Sequence, residues 1–176
     1  MSAKVALLRG VNVSGKAQLP MVDFRDLLAD LGLRRVQTYI QSGNAVFDSE
    51  LPSATLEEMI RDAIAARFGF APETFVLEAA DIATALTDHP FAGADPARVH
   101  VFFLKQAPRM DEDVLRALAL PGDGWHIAPR RFTLHAPAGI GRSRLAGRLE
   151  RLLPAPMTAR NLRTLAALQA LQAERA

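Results

Sequence analysis

The residue types best suited to chemistry sit in two short runs. One reads Arg9-Gly10-Val11-Asn12-Val13-Ser14-Gly15-Lys16, and the other reads Gln41-Ser42-Gly43-Asn44. Gly10 to Lys16 has the G-x-x-x-x-G-K spacing of a phosphate-binding loop, which would make the protein a nucleotide hydrolase or kinase. Such a loop needs more than glycines: a lysine that opens a helix, a hydroxyl next to it for magnesium, and an acid ending another strand. Here Ala17 replaces the hydroxyl, and Leu19-Pro20 delays the next helix. The one candidate acidic strand end, Val46-Phe47-Asp48, reads as part of a hairpin. The triphosphate reading therefore fails.

What remains is a set of cationic and amide donors, Arg9, Asn12, Lys16, Gln41, Ser42 and Asn44, suited to a phosphate or carboxylate. The alternative reading is structural: Asn and Gln satisfy loop backbone, and Arg9 pairs with a nearby acid. Arg142-Ser143 and Arg160-Asn161 each precede a predicted helix and are the expected second wall of this pocket. No general base or nucleophile can be named, so the sequence leaves open whether the protein is an enzyme.

Charge is unevenly spread. Residues 130–176 contain nine Arg against only Glu150 and Glu174, while the chain as a whole carries +2. Arg144, Arg148 and Arg151 fall at i, i+4 and i+7 on one helix face, with Leu145, Leu149 and Leu152 on the other. Nucleic-acid binding through this arginine-rich surface, by phosphates rather than bases, is the second functional reading. Base stacking in the manner of an RNA-recognition motif is not expected in the first half, because Val5-Ala6-Leu7-Leu8 fill its first strand. If Arg130-Arg131 forms a two-residue turn, His126 and His135 oppose each other, but no third ligand is evident. No metal site and no cofactor is expected.

These residues must be positioned by an alternation of strand and helix. Residues 4–9 read as a buried strand, and Pro20 to Leu31 as a helix with the stripe Met21, Phe24, Leu27, Leu28 and Leu31. Residues 35–41 and 44–48 read as a hairpin about Ser42-Gly43, which pairs Gln41 with Asn44. A helix capped by Ser53 follows over 54–68, and then the strand 75–77. The second half repeats this order: strand 98–104, helix 111–120, strands 124–129 and 132–136, helix 143–153, strand 156–161 and helix 162–171. The expected fold is α+β, two tandem ferredoxin-like (βαββαβ) plait halves packed together with a C-terminal helix. The expected organisation is 1–79 as the first half, 80–97 as a connecting helix and linker, and 98–176 as the second half.

Hydrophobic residues at 49% suffice for a full core, and no run approaches the length that spans a bilayer, so no membrane partner is expected. The absence of cysteine excludes disulfides and thiolate catalysis and fits a cytoplasmic protein. Oligomeric state is not readable from the sequence.

Several motifs together resemble the bacterial family called domain of unknown function 1697. They are Leu8 to Lys16, Pro20-Met21, Tyr39 to Phe47, His89-Pro90-Phe91, Gly141 to Leu145 and Thr158 to Thr164. Arg144 stands where that family usually has lysine, and Leu162 where it usually has tryptophan. The resemblance implies an α+β fold of plait-like halves and no established activity.

Overall fold

The computed structural model describes residues 1–175. By contacts the chain divides into two compact units, residues 1–83 with 166–176, and residues 84–165. In the first unit β1 (Ser2–Leu8), α1 (Met21–Asp30), β2 (Arg34–Tyr39), β3 (Asn44–Ser49), α2 (Ser53–Phe68) and β4 (Thr74–Glu78) build a four-stranded antiparallel sheet in the order β2-β3-β1-β4. The second repeats that order of elements with β5 (Val99–Leu104), α4 (Glu112–Leu118), β6 (Gly124–Ala128), β7 (Arg131–His135), α5 (Arg144–Leu152) and β8 (Met157–Asn161). Its antiparallel sheet runs β6-β7-β5-β8. Helix α3 (Ala79–Thr87) follows β4, and α6 (Leu162–Ala173) follows β8.

The continuous apolar run Val5 to Leu8 makes β1 central, because only an inner strand buries both of its faces. Ala6, Leu8, Ala45, Phe47 and Val76 face Phe24, Leu27 and Leu28 of α1 and Leu56, Ile60 and Ile64 of α2. The 3.6-residue stripes of both helices are thereby spent on one sheet face. Gly69 ends α2 in a left-handed cap, φ +80°, its amide donating to Ala65 O. Ser53 does not cap that helix. Pro52 occupies the cap position, and the Ser53 hydroxyl donates instead to Glu78 Oε1 at 3.0 Å.

Residues 166–176 belong with the first unit, whereas the sequence placed 98–176 together as one half. The reason is side-chain bonding. Gln172 Nε2 donates to Ala3 O, and the Arg175 guanidinium reaches Gln37, Val46 and Asp48.

Candidate functional site

Antiparallel pairing of β1 with β3 sets Leu7 opposite Asn44, which brings the end of β1 against the β2–β3 turn. Leu8 N donates to Gly43 O at 2.9 Å, so Arg9 and the loop that follows start beside Gln41 and Ser42. Gly43 allows this approach. With φ +82°, a Cβ there would lie 2.7 Å from Val11 Cγ2 and 2.8 Å from Leu8 Cβ.

The Gly10–Ala17 loop is held in an unusual shape. Gly10, Asn12, Ser14, Gly15 and Ala17 all have left-handed backbone, with φ between 48° and 71°. Asn12 is its fastener. The Asn12 Nδ2 donates to Leu19 O and to Gln41 O, both at 2.8 Å, and its Oδ1 accepts from Leu19 N at 2.7 Å. One amide thus fixes the loop to its own exit and to the neighbouring turn. Asn12→Ala is expected to lose about 2–4 kcal/mol, from three hydrogen bonds at about 0.5–1 kcal/mol each and about 0.5–1 kcal/mol for alanine replacing asparagine in left-handed backbone. Asn12→Gly removes the same bonds without the backbone penalty and is expected to lose about 1 kcal/mol less in urea unfolding.

Lys16 does not open a helix. Its amide donates to Val13 O at 3.0 Å in a tight turn, its side chain is exposed, and α1 begins only at Met21. This geometry agrees with rejection of the nucleotide-hydrolase loop. Arg9 is half-buried, its amide donating to Glu73 O at 3.0 Å.

The turn differs from the register expected about Ser42-Gly43. Tyr39 pairs with Asn44 and Thr38 with Ala45, so Ile40 to Gly43 form a four-residue loop. Asn44 is fully buried and closes that loop from inside, its Nδ2 donating to Tyr39 O at 3.0 Å and Ser42 Oγ at 2.8 Å. The amide of Asn44 is spent on the turn, whereas Gln41 is exposed. Ile40, β-branched and half-exposed, has φ +47°, a conformation such residues almost never adopt.

Arg142, Ser143, Arg160 and Asn161 lie in the second unit. Arg142 is exposed at the end of a short 3-10 turn, while Ser143 is buried and its Oγ accepts from Ala146 N at 3.0 Å, capping α5. Asn161 caps α6 in the same way, its Oδ1 accepting from Thr164 N at 2.9 Å. Arg160 is a buried strand residue rather than a helix opener, its Nη1 donating to Thr158 Oγ1 and Ala159 O. Burial lowers its guanidinium to about 10, which leaves it charged at neutral pH.

The histidine pairing requires correction. The turn is Pro129-Arg130, with Arg130 at φ +58°, so Ala128 pairs with Arg131 and His126 faces Thr133, while His135 faces Gly124. His126 Nε2 lies 3.7 Å from Asp88, which also binds Arg131 at 2.5 Å. Among the described residues no group of three or more His, Asp and Glu is arranged to hold a metal.

One constellation escaped the sequence reading. Asp48, buried in β3, accepts from Arg35 Nε and from Arg175 Nη1, while Arg175 Nη2 donates to Gln37 Oε1 at 2.6 Å. Burial raises the Asp48 carboxyl, but the two arginine bonds outweigh it and hold the group below the usual range. The only local signal was a single acid at the end of an apolar strand.

The fold is mixed α+β with two four-stranded antiparallel sheets, and the chain belongs to the family described as protein of unknown function (DUF1697), whose model matches residues 1–130. It is similar in structure to the conserved bacterial protein SP0830 from Streptococcus pneumoniae, at 24% identity and a TM-score of 0.71, over 97% of this chain and 98% of that one. No curated protein matches. Among the described residues no helix is long and apolar enough to cross a membrane.

Proposed function

We propose that this is a cytoplasmic protein that binds a small phosphate- or carboxylate-bearing ligand at the Arg9–Lys16 loop and the Gln41–Ser42 turn. The observation that carries this reading is the run of left-handed residues from Gly10 to Ala17, fastened by Asn12 to the Gln41 carbonyl. Non-glycine residues held in that region cost on the order of 1 kcal/mol each and gather where a ligand repays them. Ser14, Ala17 and Ile40 are residue types that rarely adopt that region of their own accord. Left-handed residues can turn successive backbone N–H groups towards an anion; the amides of Asn12 and Lys16 are committed within the loop, which leaves this role to its other N–H groups together with the Arg9 and Lys16 charges. Asn12 and Asn44 shape this site rather than contact the ligand. Both units are read as ferredoxin-like plaits, since each runs βαββαβ with its first strand inside.

The test is melting temperature against inorganic phosphate, pyrophosphate and a nucleotide. A saturable rise is expected in the wild type, with affinity falling about tenfold in Lys16→Ala, one charge-assisted hydrogen bond's worth. No rise with any of the three contradicts the reading.

The second reading, nucleic-acid binding, draws on α5, where Arg144, Arg148 and Arg151 are exposed while Leu145 and Leu149 are buried. It calls for binding of short RNA that weakens steeply with salt and is lost in the triple arginine variant but kept in Lys16→Ala.

A further inference from the structure

The two units repeat each other, residue for residue, at one end of their sheets. In the first, Leu8 N donates to Gly43 O at 2.9 Å and Arg9 N to Glu73 O at 3.0 Å. In the second, Leu104 N donates to Arg130 O at 2.9 Å and Lys105 N to Pro156 O at 3.1 Å. Gly43 and Arg130 are the residues just before β3 and β7, and Glu73 and Pro156 those just before β4 and β8. Gly43 and Arg130 are both left-handed, φ +82° and +58°. Lys105 therefore stands in the second unit where Arg9 stands in the first. The segment from Gln106 to Met110 corresponds in place to the Gly10–Ala17 loop.

That segment borders a cavity of about 440 Å³ in the second unit. Leu104, Pro108, Leu153 and Pro154 make most of its wall apolar, and Gln106 and Arg109 are its polar side chains. Among the described residues no acid lines it. Among the same residues the Gln106 and Arg109 side chains make no hydrogen bond or ion pair, and the amides of Gln106, Ala107 and Arg109 have no protein acceptor. Arg130 adds a second guanidinium at the wall, its Nε 3.4 Å from Leu104 O. Unspent N–H donors and positive charge beside an apolar concavity are the donor set of a site for an organic anion.

We infer that this cavity is a second binding site, which takes a small monocarboxylate with an aliphatic body. The carboxylate meets Arg109 and the amides of the Gln106–Arg109 segment, and the body lies against the leucine and proline wall. One guanidinium in the lining matches a single negative charge better than a phosphate dianion. The site stands on its own cavity and donors and does not rest on the anion reading of the Arg9–Lys16 loop.

Hexanoate is a suitable probe, because hexanamide lacks its charge and acetate lacks its body. Titration of the full chain, followed by residue-resolved amide NMR, is expected to show saturable shifts at Lys105 to Arg109, Leu153 and Ala155. Hexanamide and acetate are each expected to bind about tenfold more weakly. Arg109→Gln, at an exposed side chain, is expected to bring hexanoate down to the level of hexanamide, and Ala155→Phe to abolish binding by filling the cavity. Lys16→Ala leaves all of this unchanged. No saturable binding, equal binding of hexanoate and either analogue, shifts confined to Arg9–Ala17, or indifference to Arg109→Gln overturns the inference.

Discussion

Asp48→Asn is expected to lose about 3–5 kcal/mol of stability at neutral pH, the largest effect of any single change discussed for this chain. The Asp48 and Arg175 side chains are only 5% and 4% exposed, so the substitution strands a buried guanidinium rather than a solvated one. The Arg175 bonds to Gln37, Val46 and Leu171 remain, but none of those groups carries a compensating charge. A pH signature separates this mechanism from simple packing loss. The folded carboxyl lies below its ordinary range, so the native state binds a proton less readily than the unfolded chain does. Its contribution is therefore fully present above about pH 4 and drains away as pH falls through the depressed folded value. Urea unfolding of wild type and Asp48→Asn should show a wide gap at pH 7 that narrows steadily below pH 4. A gap that stays constant to acid pH contradicts the ion-pair account.

Gly43→Ala is expected to cost about 2–5 kcal/mol and to disable the loop. A left-handed alanine costs about 1–2 kcal/mol, and forcing a methyl into a packed site typically adds about 1–3 kcal/mol. The neighbours in the way are Val11 Cγ2 and Leu8 Cβ, short side chains anchored on the loop and on β1, with little freedom to move aside. Relief requires the turn to retreat from β1, which breaks the Leu8 N to Gly43 O bond and carries the Gln41 carbonyl away from Asn12. The loss of ligand affinity in this variant should therefore match that of Asn12→Ala, although neither residue's replacement removes a charge. Unchanged stability and unchanged ligand response in Gly43→Ala would argue that the turn and the loop are independent.

Much of the architecture was legible because it depends on local periodicity. Val5 to Leu8 could only be an inner strand, and the stripes of α1 and α2 named their buried faces. The turns were harder. Ser42-Gly43 has the composition of a two-residue turn, but burial of the Asn44 amide inside the bend makes a four-residue loop the better-bonded solution. Pro129-Arg130 displaced Arg130-Arg131, with Arg130 left-handed and its carbonyl accepting from Leu104 N, and this one-residue move of the turn put Thr133 rather than His135 opposite His126. Left-handed Ala17 and Ile40 carry no signal in their residue types, whereas Gly10, Asn12 and Gly15 do. The sequence could place Arg9 and Gln41 on neighbouring elements only as a conjecture; the β1–β3 register brings them to one end of the sheet. The Asp48–Arg175 pair joins positions 127 residues apart, and nothing periodic announces a contact of that range.

The central claim, that the strained loop and its adjoining turn hold an anion, is tested most directly by residue-resolved amide NMR during titration with pyrophosphate. The account predicts saturable shift changes concentrated in Arg9 to Ala17 and Ile40 to Asn44, weakened in Lys16→Ala and absent in Gly43→Ala. Shifts confined to other segments, or none in the loop at millimolar pyrophosphate, would contradict it.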